Sequence, residues 1–223
     1  MKPLLFICFL FLYFPSANAT TQSFKLGYEE LYISEGRDNF AGQSMNTIGF
    51  ETQADDIKAI VWHGESEDNK LSESSASLAK AFELDSSVSV EIMYTYLSFK
   101  GSISDDHELG ATVHIGQGDG LLGTFTTTFG HQSSGIYSVA EVLYQKSIND
   151  FLVSPYLFVG LNKDYIRTGH NGLDHYQAGL RFSWTKSNLS ITGHLSKTTP
   201  INQQSYDTLV EESWAGVKAI YSL

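Results

Sequence analysis

The feature that most constrains this chain is an alternation of apolar and polar residues with a period of two, which recurs along most of its length. In the segment 175–185, Tyr176, Ala178, Leu180, Phe182 and Trp184 share one face, while most of the residues between them are polar or small. Helical periodicity is scarce, so the pattern predicts an all-β chain of about 12 strands (10–12). These strands are expected near 24–33, 45–52, 57–63, 77–84, 88–99, 109–116, 121–130, 136–145, 151–161, 175–185, 189–196 and 213–223.

The connections between these strands alternate in length. Longer polar loops are expected at 34–44, 64–76, 101–108, 162–174 and 197–212, and short turns at 53–56, 85–87, 117–120, 146–150 and 186–188. The connection at 131–134 is short where a long one is expected. This alternation places the short turns at one end of the sheet and predicts an antiparallel up-and-down transmembrane β-barrel. Closure is required in a bilayer because the hydrocarbon layer offers no hydrogen-bond partners for the backbone groups of an open strand edge.

The first 19 residues have the pattern of an export signal. Lys2 precedes an apolar run from Leu4 to Phe14, and Ala17-Asn18-Ala19 fits the small-x-small cleavage pattern. The run is shorter than the roughly 20 residues that a membrane-spanning helix needs. We therefore expect a cleaved signal peptide at 1–19, an outer-membrane β-barrel domain at 20–223, and a location in the bacterial outer membrane.

Composition excludes several classes of protein. A formal net charge of −11 argues against a nucleic-acid partner. The single cysteine, Cys8, excludes a disulfide scaffold and a zinc site built from several thiolates. Charged residues are only 17% and aromatic residues 13% of the chain, which fits strands that turn half of their side chains to lipid. A soluble sandwich or lipocalin-like barrel, with the apolar face inside, is the alternative.

The predicted outward face carries aromatic residues near both ends of the strands, as expected at two lipid–water interfaces. Near the short-turn end these are Phe24, Phe50, Tyr144, Phe151, Trp184 and Tyr221, and near the long-loop end Tyr32, Tyr96, Phe129 and Tyr176.

Two resemblances support an outer-membrane barrel. The last segment, Gly216 to Leu223, resembles the C-terminal strand signal that the barrel-assembly machinery recognises, although that signal usually ends in Phe or Trp. The segments Ser34-Glu35-Gly36-Arg37-Asp38-Asn39 and Asn171 to Leu180 resemble a poorly characterised TorF-like family of exported, porin-like barrels. Together they imply a bacterial outer-membrane barrel with a porin-like role and little established chemistry.

The alternate strand positions, which are expected to face the lumen, include four acidic and four basic residues. Two explanations stay open for them: a salt-bridged network that fills a narrow barrel, and a polar pore whose charges act on the permeant. His114 and His194 share this parity. The candidate lumen-lining charges are Lys25, Glu29, Glu51, Lys58, Glu91, Glu141, Arg181 and Lys218.

One segment invites a catalytic interpretation. His194-Leu195-Ser196 resembles the His-x-Ser pair of outer-membrane lipid A deacylases, and Glu211 or Glu212 would be the orienting acid. A lipid hydrolase needs this pair to face acyl chains, whereas the parity directs it into the lumen. Polar lumen residues are therefore the favoured interpretation, and we expect no enzymatic activity.

The long loops are acidic, with Glu65, Glu67, Asp68 and Glu73 in one and Asp105, Asp106 and Glu108 in another. Divalent cations bridging them to lipopolysaccharide are conceivable, but no dedicated site spacing is present. A solvated surface is favoured, with no metal and no cofactor.

The leading hypothesis is a porin-like passive channel for small solutes. Its expected partners are outer-membrane lipid and lipopolysaccharide, the barrel-assembly machinery during biogenesis, and the solutes themselves. Two alternatives remain: a closed structural or surface barrel without transport, and a lipid A-modifying hydrolase that uses His194 and Ser196.

Overall fold

The computed structural model describes residues 21–100, 105–165, 169, 171–201 and 211–223. The expected signal peptide at 1–19 and Cys8 lie outside these residues. The barrel strands are β1 (Thr21–Glu29), β4 (Met45–Ala54), β5 (Ile57–Ser66), β6 (Ser72–Glu83), β7 (Val88–Lys100), β8 (Asp106–Ile115), β9 (Gly120–Gly130), β10 (Gly135–Ile148), β11 (Phe151–Lys163), β12 (Asn171–Lys186), β13 (Leu189–Pro200) and β14 (Glu212–Ser222). Two further strands, β2 (Ile33–Ser34) and β3 (Arg37–Asp38), form a small hairpin in the first loop. The described residues contain no helix that is long and apolar enough to span a membrane.

The sheet closes on itself. Strands that follow one another in sequence pair antiparallel from β4 to β14, and β1 pairs with both β4 and β14. Phe24 therefore lies opposite Phe50 on one side and Tyr221 on the other. This confirms the predicted all-β closed antiparallel barrel and its strand number of 12.

The outer face of the barrel is apolar. Mid-strand residues such as Leu26, Ile48 and Leu78 expose 55–60% of their surface. Aromatic residues expected on this face are also exposed near both ends, among them Phe24, Tyr144, Phe151, Phe129 and Tyr176. This distribution of apolar side chains is the opposite of that in a soluble barrel, where they fill the interior.

Tyr32 is the exception among the expected outward aromatic residues. The first strand ends at Glu29, before the predicted end at 33, and the chain then turns inward. Tyr32 contacts the rings of Trp62 and Phe40 at 6.1 and 5.0 Å. The outward prediction for Tyr32 is wrong because it assumed that the strand continues through this residue.

Local turn chemistry explains the inward fold. Glu35 and Gly36 join β2 to β3 with positive φ angles of 53° and 74°, as in a tight hairpin turn. The Asp38 side chain then accepts hydrogen bonds from the amides of Phe40 and Gly42. A β-carbon on Gly36 would lie 2.6 Å from Nδ1 of His175, so this glycine allows the hairpin to pack against His175 on β12.

The loop predicted at 64–76 is much shorter. Because β5 extends to Ser66 and β6 begins at Ser72, only residues 67–71 remain between them. The Ser66 hydroxyl bonds to Asp68 and to the Leu71 carbonyl and closes this turn. Parts of the loops predicted at 101–108, 162–174 and 197–212 lie outside the described residues.

Candidate functional site: the charged lumen

The candidate lumen charges sit on positions that face the interior, and most of them form ion pairs between strands. The pairs are Lys25–Glu51 at 2.6 Å, Lys58–Glu91 at 2.7 Å and Arg181–Glu141 at 2.6 Å. Glu29 contacts His194 at 2.7 Å. Lys218 forms no ion pair with any described residue. The structure thus brings seven of the eight candidates into contact with an acid or a base and leaves one lysine open.

Arg181 is held from two sides. Its two terminal nitrogens bond to the two carboxylate oxygens of Glu141 at 2.8 and 2.6 Å, a bidentate arrangement that favours a fixed geometry. Its guanidinium carbon lies 4.0 Å from the centre of the Tyr156 ring, a cation–π distance. The guanidinium is therefore oriented by packing as well as by charge.

His194 and Ser196 lie on the lumen face, as their parity predicts. Their acidic partner is Glu29 on β1, whose carboxylate lies 2.7 Å from Nε2 of His194. Glu211 instead pairs with Lys197 at 2.9 Å, where both side chains are about half exposed. The proposed role of Glu211 or Glu212 is wrong because the barrel closure brings β1 next to β14, a proximity that sequence spacing does not reveal.

The mouth of the lumen contains carboxyl groups that sequence reasoning placed in solvated loops. Glu73 accepts a hydrogen bond from Tyr32 at 2.9 Å, and Glu108 accepts one from Tyr165. Burial, followed by the nearby acid Glu73, raises the pKa of Tyr32 well above its usual value. Burial also raises the pKa of Tyr165. Both tyrosines therefore remain neutral donors at physiological pH.

A signal for Glu73 was present in the sequence. It shares the parity of Ser75 and Ser77, which face the lumen, and only the late predicted start of β6 hid it. Tyr165 gave no comparable signal, because its contact with Glu108 joins distant parts of the chain. His175 shares the inward parity of Gln177 in the predicted strand 175–185, but its complete burial depends on packing that the sequence pattern does not show.

Three cavities follow one another through the lumen. The outer vestibule, about 350 Å³, is lined by Tyr32, Glu35, Arg37, Glu73, Glu108 and Tyr165 among others. The inner cavity, about 320 Å³, is lined by residues that include Glu29, Tyr32, Trp62, Arg181, Ser196, Trp214 and Lys218. The lower cavity, about 310 Å³, extends to Gln145, Ser154 and Thr192 near the short turns. Tyr32 is shared by the first two cavities, and Glu29, Arg181, His194 and Lys218 by the last two.

The acidic residues form no dedicated cation site within the described part of the chain, where no group of three or more His, Cys, Asp and Glu is arranged to hold a metal. Asp68 is engaged instead by Lys70 and Ser66. Hydrogen bonds from Lys70, and then from Ser66, lower the pKa of this carboxyl to about 2.

A closed 12-stranded barrel with an apolar exterior and a charged interior has the architecture of outer-membrane β-barrels. Solved structures with this fold include the KdgM porin, which is 8% identical and has a TM-score of 0.63, covering 91% of this chain and 99% of that one. NanC porin is 10% identical with a TM-score of 0.58, covering 91% and 98%. LpxR from Salmonella typhimurium is 8% identical with a TM-score of 0.56, covering 90% and 99%. No protein-family model and no curated protein matches the sequence. At these identities the likeness establishes the fold.

Proposed function

We propose that this protein is an integral barrel of the bacterial outer membrane that works as a porin-like passive channel for small solutes. The observation that carries the proposal is the series of three cavities, each lined in part by charged residues, inside a barrel whose outer face is apolar. An apolar exterior suits lipid, and a polar interior suits hydrated solutes. Passive diffusion through such a barrel needs no cofactor.

The permeant is small because the lumen is narrowed by the first loop. Tyr32 lies between the outer vestibule and the inner cavity and packs on the ring of Trp62 on β5. One structure of the similar KdgM porin contains disordered oligogalacturonate. In this chain most of the candidate lumen bases are paired with acids, so we infer that uncharged or weakly charged small solutes pass.

The closed surface barrel is the second candidate, and the inward hairpin is the observation that favours it. Lipid A hydrolysis has less support, because His194 and Ser196 face the lumen while their neighbour Leu195 is 57% exposed on the outside. LpxR has a similar fold, but fold alone does not assign a reaction.

Single-channel recording in planar bilayers tests the proposal. The purified protein should give discrete conductance steps, and Tyr32→Ala should enlarge them because it removes a ring from the narrowing. Tyr176→Ala, on the outer face, is the matched control and should leave the steps unchanged. Absence of current above the bilayer background in both the unmodified protein and Tyr32→Ala would favour the closed surface barrel.

The membrane location has its own test. The protein should fractionate with the outer membrane and migrate differently on gels before and after heating in detergent. Recovery as a soluble periplasmic protein with unchanged mobility would contradict this placement. We further propose a cleaved signal peptide at 1–19, delivery by the barrel-assembly machinery, contact with lipopolysaccharide, and membership of the TorF-like family on the strength of the two segments that resemble it.

A further inference from the structure

Five side chains from four strands form a continuous chain of hydrogen bonds in the wall of the inner cavity. Nε2 of Gln177 donates to the Tyr156 hydroxyl at 2.7 Å, and that hydroxyl lies 2.6 Å from Oγ of Ser196. Oγ of Ser196 lies 2.7 Å from Nδ1 of His194, and Nε2 of His194 lies 2.7 Å from the Glu29 carboxylate. The sequence separation between Glu29 and His194 is 165 residues, so the fold assembles this chain.

Donor and acceptor rules fix its direction. An ionised Glu29 only accepts hydrogen bonds, so Nε2 of the imidazole carries the proton. Nδ1 of a neutral His194 is then an acceptor, and the Ser196 hydroxyl must donate to it. The serine is therefore hydrogen-bonded to a base that is in turn oriented by a carboxylate, which is the arrangement that activates a serine nucleophile.

The backbone leaves room for these contacts. Gly216 lies opposite both Glu29 and His194 in the sheet. A β-carbon on Gly216 would overlap with Oε2 of Glu29 and Nε2 of His194. Any side chain larger than hydrogen at this position would displace the carboxylate or the imidazole. Gly110, on the far wall, would place a β-carbon no closer than 3.6 Å to its neighbours.

The cavity beside the serine defines a class of substrate. Its volume of about 320 Å³ admits a small molecule, and Ser196, Arg181 and Lys218 all line it. Lys218 has no acidic partner among the described residues, so it is available to bind an anionic group. A packed network of side chains that only filled the barrel would leave neither a cavity beside the Ser196 hydroxyl nor a lysine without an acidic partner.

We propose that Ser196 is the nucleophile of an esterase site in the lumen, which hydrolyses short carboxylic esters that carry an anionic group. Oγ of Ser196 attacks the ester carbonyl carbon as its proton passes to Nδ1 of His194. The tetrahedral intermediate releases the alcohol, which takes that proton. Water then attacks the acyl-serine, and His194 accepts the water proton and returns it to Oγ, so that ester and water become acid and alcohol.

Other residues support these steps. Glu29 stabilises the imidazolium that forms when His194 accepts a proton. The Tyr156 hydroxyl lies 2.6 Å from Oγ of Ser196 and would donate a hydrogen bond to the oxyanion that develops there. The site goes beyond the channel function and does not depend on it, because an ester can enter the inner cavity from one end of the barrel.

A fluorophosphonate probe tests the nucleophile directly. The purified, folded barrel should be labelled covalently, and peptide mass spectrometry should place the label on Ser196. Ser196→Ala and His194→Gln should abolish labelling, whereas Ser154→Ala, at another buried lumen serine on β11, should leave it unchanged. An unlabelled native protein, or a label on another residue, overturns the proposal whether or not the variants fold.

Hydrolysis of 4-nitrophenyl acetate and of mono-4-nitrophenyl succinate provides the second readout. Ser196→Ala should lower kcat at least ~100-fold. Glu29→Gln should lower kcat and leave KM unchanged, because Glu29 positions His194 and does not touch the ester. Lys218→Met should remove the preference for the succinate. Equal turnover of both esters by the native protein contradicts the anionic substrate class, and unchanged turnover in Ser196→Ala contradicts the site.

Discussion

The ion pair between Arg181 and Glu141 gives the sharpest energetic prediction. Two hydrogen bonds of 2.8 and 2.6 Å join the side chains on the lumen face, between β10 and β12. The Glu141 side chain is 11% exposed and that of Arg181 is 43% exposed. Replacing Glu141 with Gln keeps the shape of the side chain and removes its charge, so it isolates the electrostatic contribution of the pair to stability.

The magnitude follows from burial. Removing one partner of a fully buried ion pair costs about 3–5 kcal/mol, because the other charge is left uncompensated. Arg181 retains contact with water and with the Tyr156 ring, so roughly half of that cost is expected after allowing for solvent screening, about 2 kcal/mol. A double-mutant cycle with Arg181→Met and Glu141→Gln should therefore give a coupling free energy of about 2 kcal/mol.

Urea unfolding of the barrel in lipid vesicles, followed by tryptophan fluorescence, measures this coupling. The control cycle uses Asp56→Asn and Lys80→Met, because this pair lies at 3.3 Å with both side chains about half exposed. An exposed pair contributes about 0–1 kcal/mol. A coupling for Arg181–Glu141 no larger than that of Lys80–Asp56 would refute the argument that the lumen pair is shielded from solvent.

Three further predictions concern the exterior, the turns and the sheet. Leu78→Arg, on the outer face at mid-strand, should lower the free energy of unfolding in lipid by about 2–4 kcal/mol. Leu84→Arg, beyond the strand end, should lower it by about 0–1 kcal/mol. Equal losses of unfolding free energy in the two variants would contradict the lipid-facing placement of Leu78. Lys70→Met should raise the pKa of Asp68 from about 2 toward its usual value, as read by NMR titration. Gly216→Ala should destabilise the barrel by about 1–3 kcal/mol through overpacking, and an unchanged urea midpoint would be inconsistent with the close approach of Glu29 to this glycine.

The barrel fold could be predicted from the sequence because the features that determine it are local. Alternation along each strand, such as Tyr176 to Trp184, sets which side chains point outward, and turn composition sets where the strands reverse. Closure follows from the need to leave no edge, and an even strand number lets the first and last strands pair antiparallel as all the others do. These features depend on neighbouring residues and hence can be seen in a linear pattern.

Contacts between distant strands were harder to predict. The partner of His194 is Glu29, which is close only because the first and last strands meet at the closure of the barrel. Tyr32 had an outward parity, but the positive φ angles at Glu35 and Gly36 allow a hairpin that folds into the mouth. The position of a residue in the alternating pattern therefore predicts whether its side chain points outward or inward only as long as the strand continues through that residue.

Cysteine accessibility tests the central claim, a wet lumen in a lipid-facing wall, most directly. The one cysteine of the sequence, Cys8, lies in the proposed signal peptide, so the barrel can carry a single introduced thiol. This thiol is either Lys218→Cys, on the lumen face, or Val217→Cys, its outward neighbour with 47% exposure. During single-channel recording, a charged methanethiosulfonate reagent should lower the current through the Lys218→Cys protein and leave the Val217→Cys protein unaffected. Absence of current in both proteins, or block at Val217→Cys alone, would contradict the account.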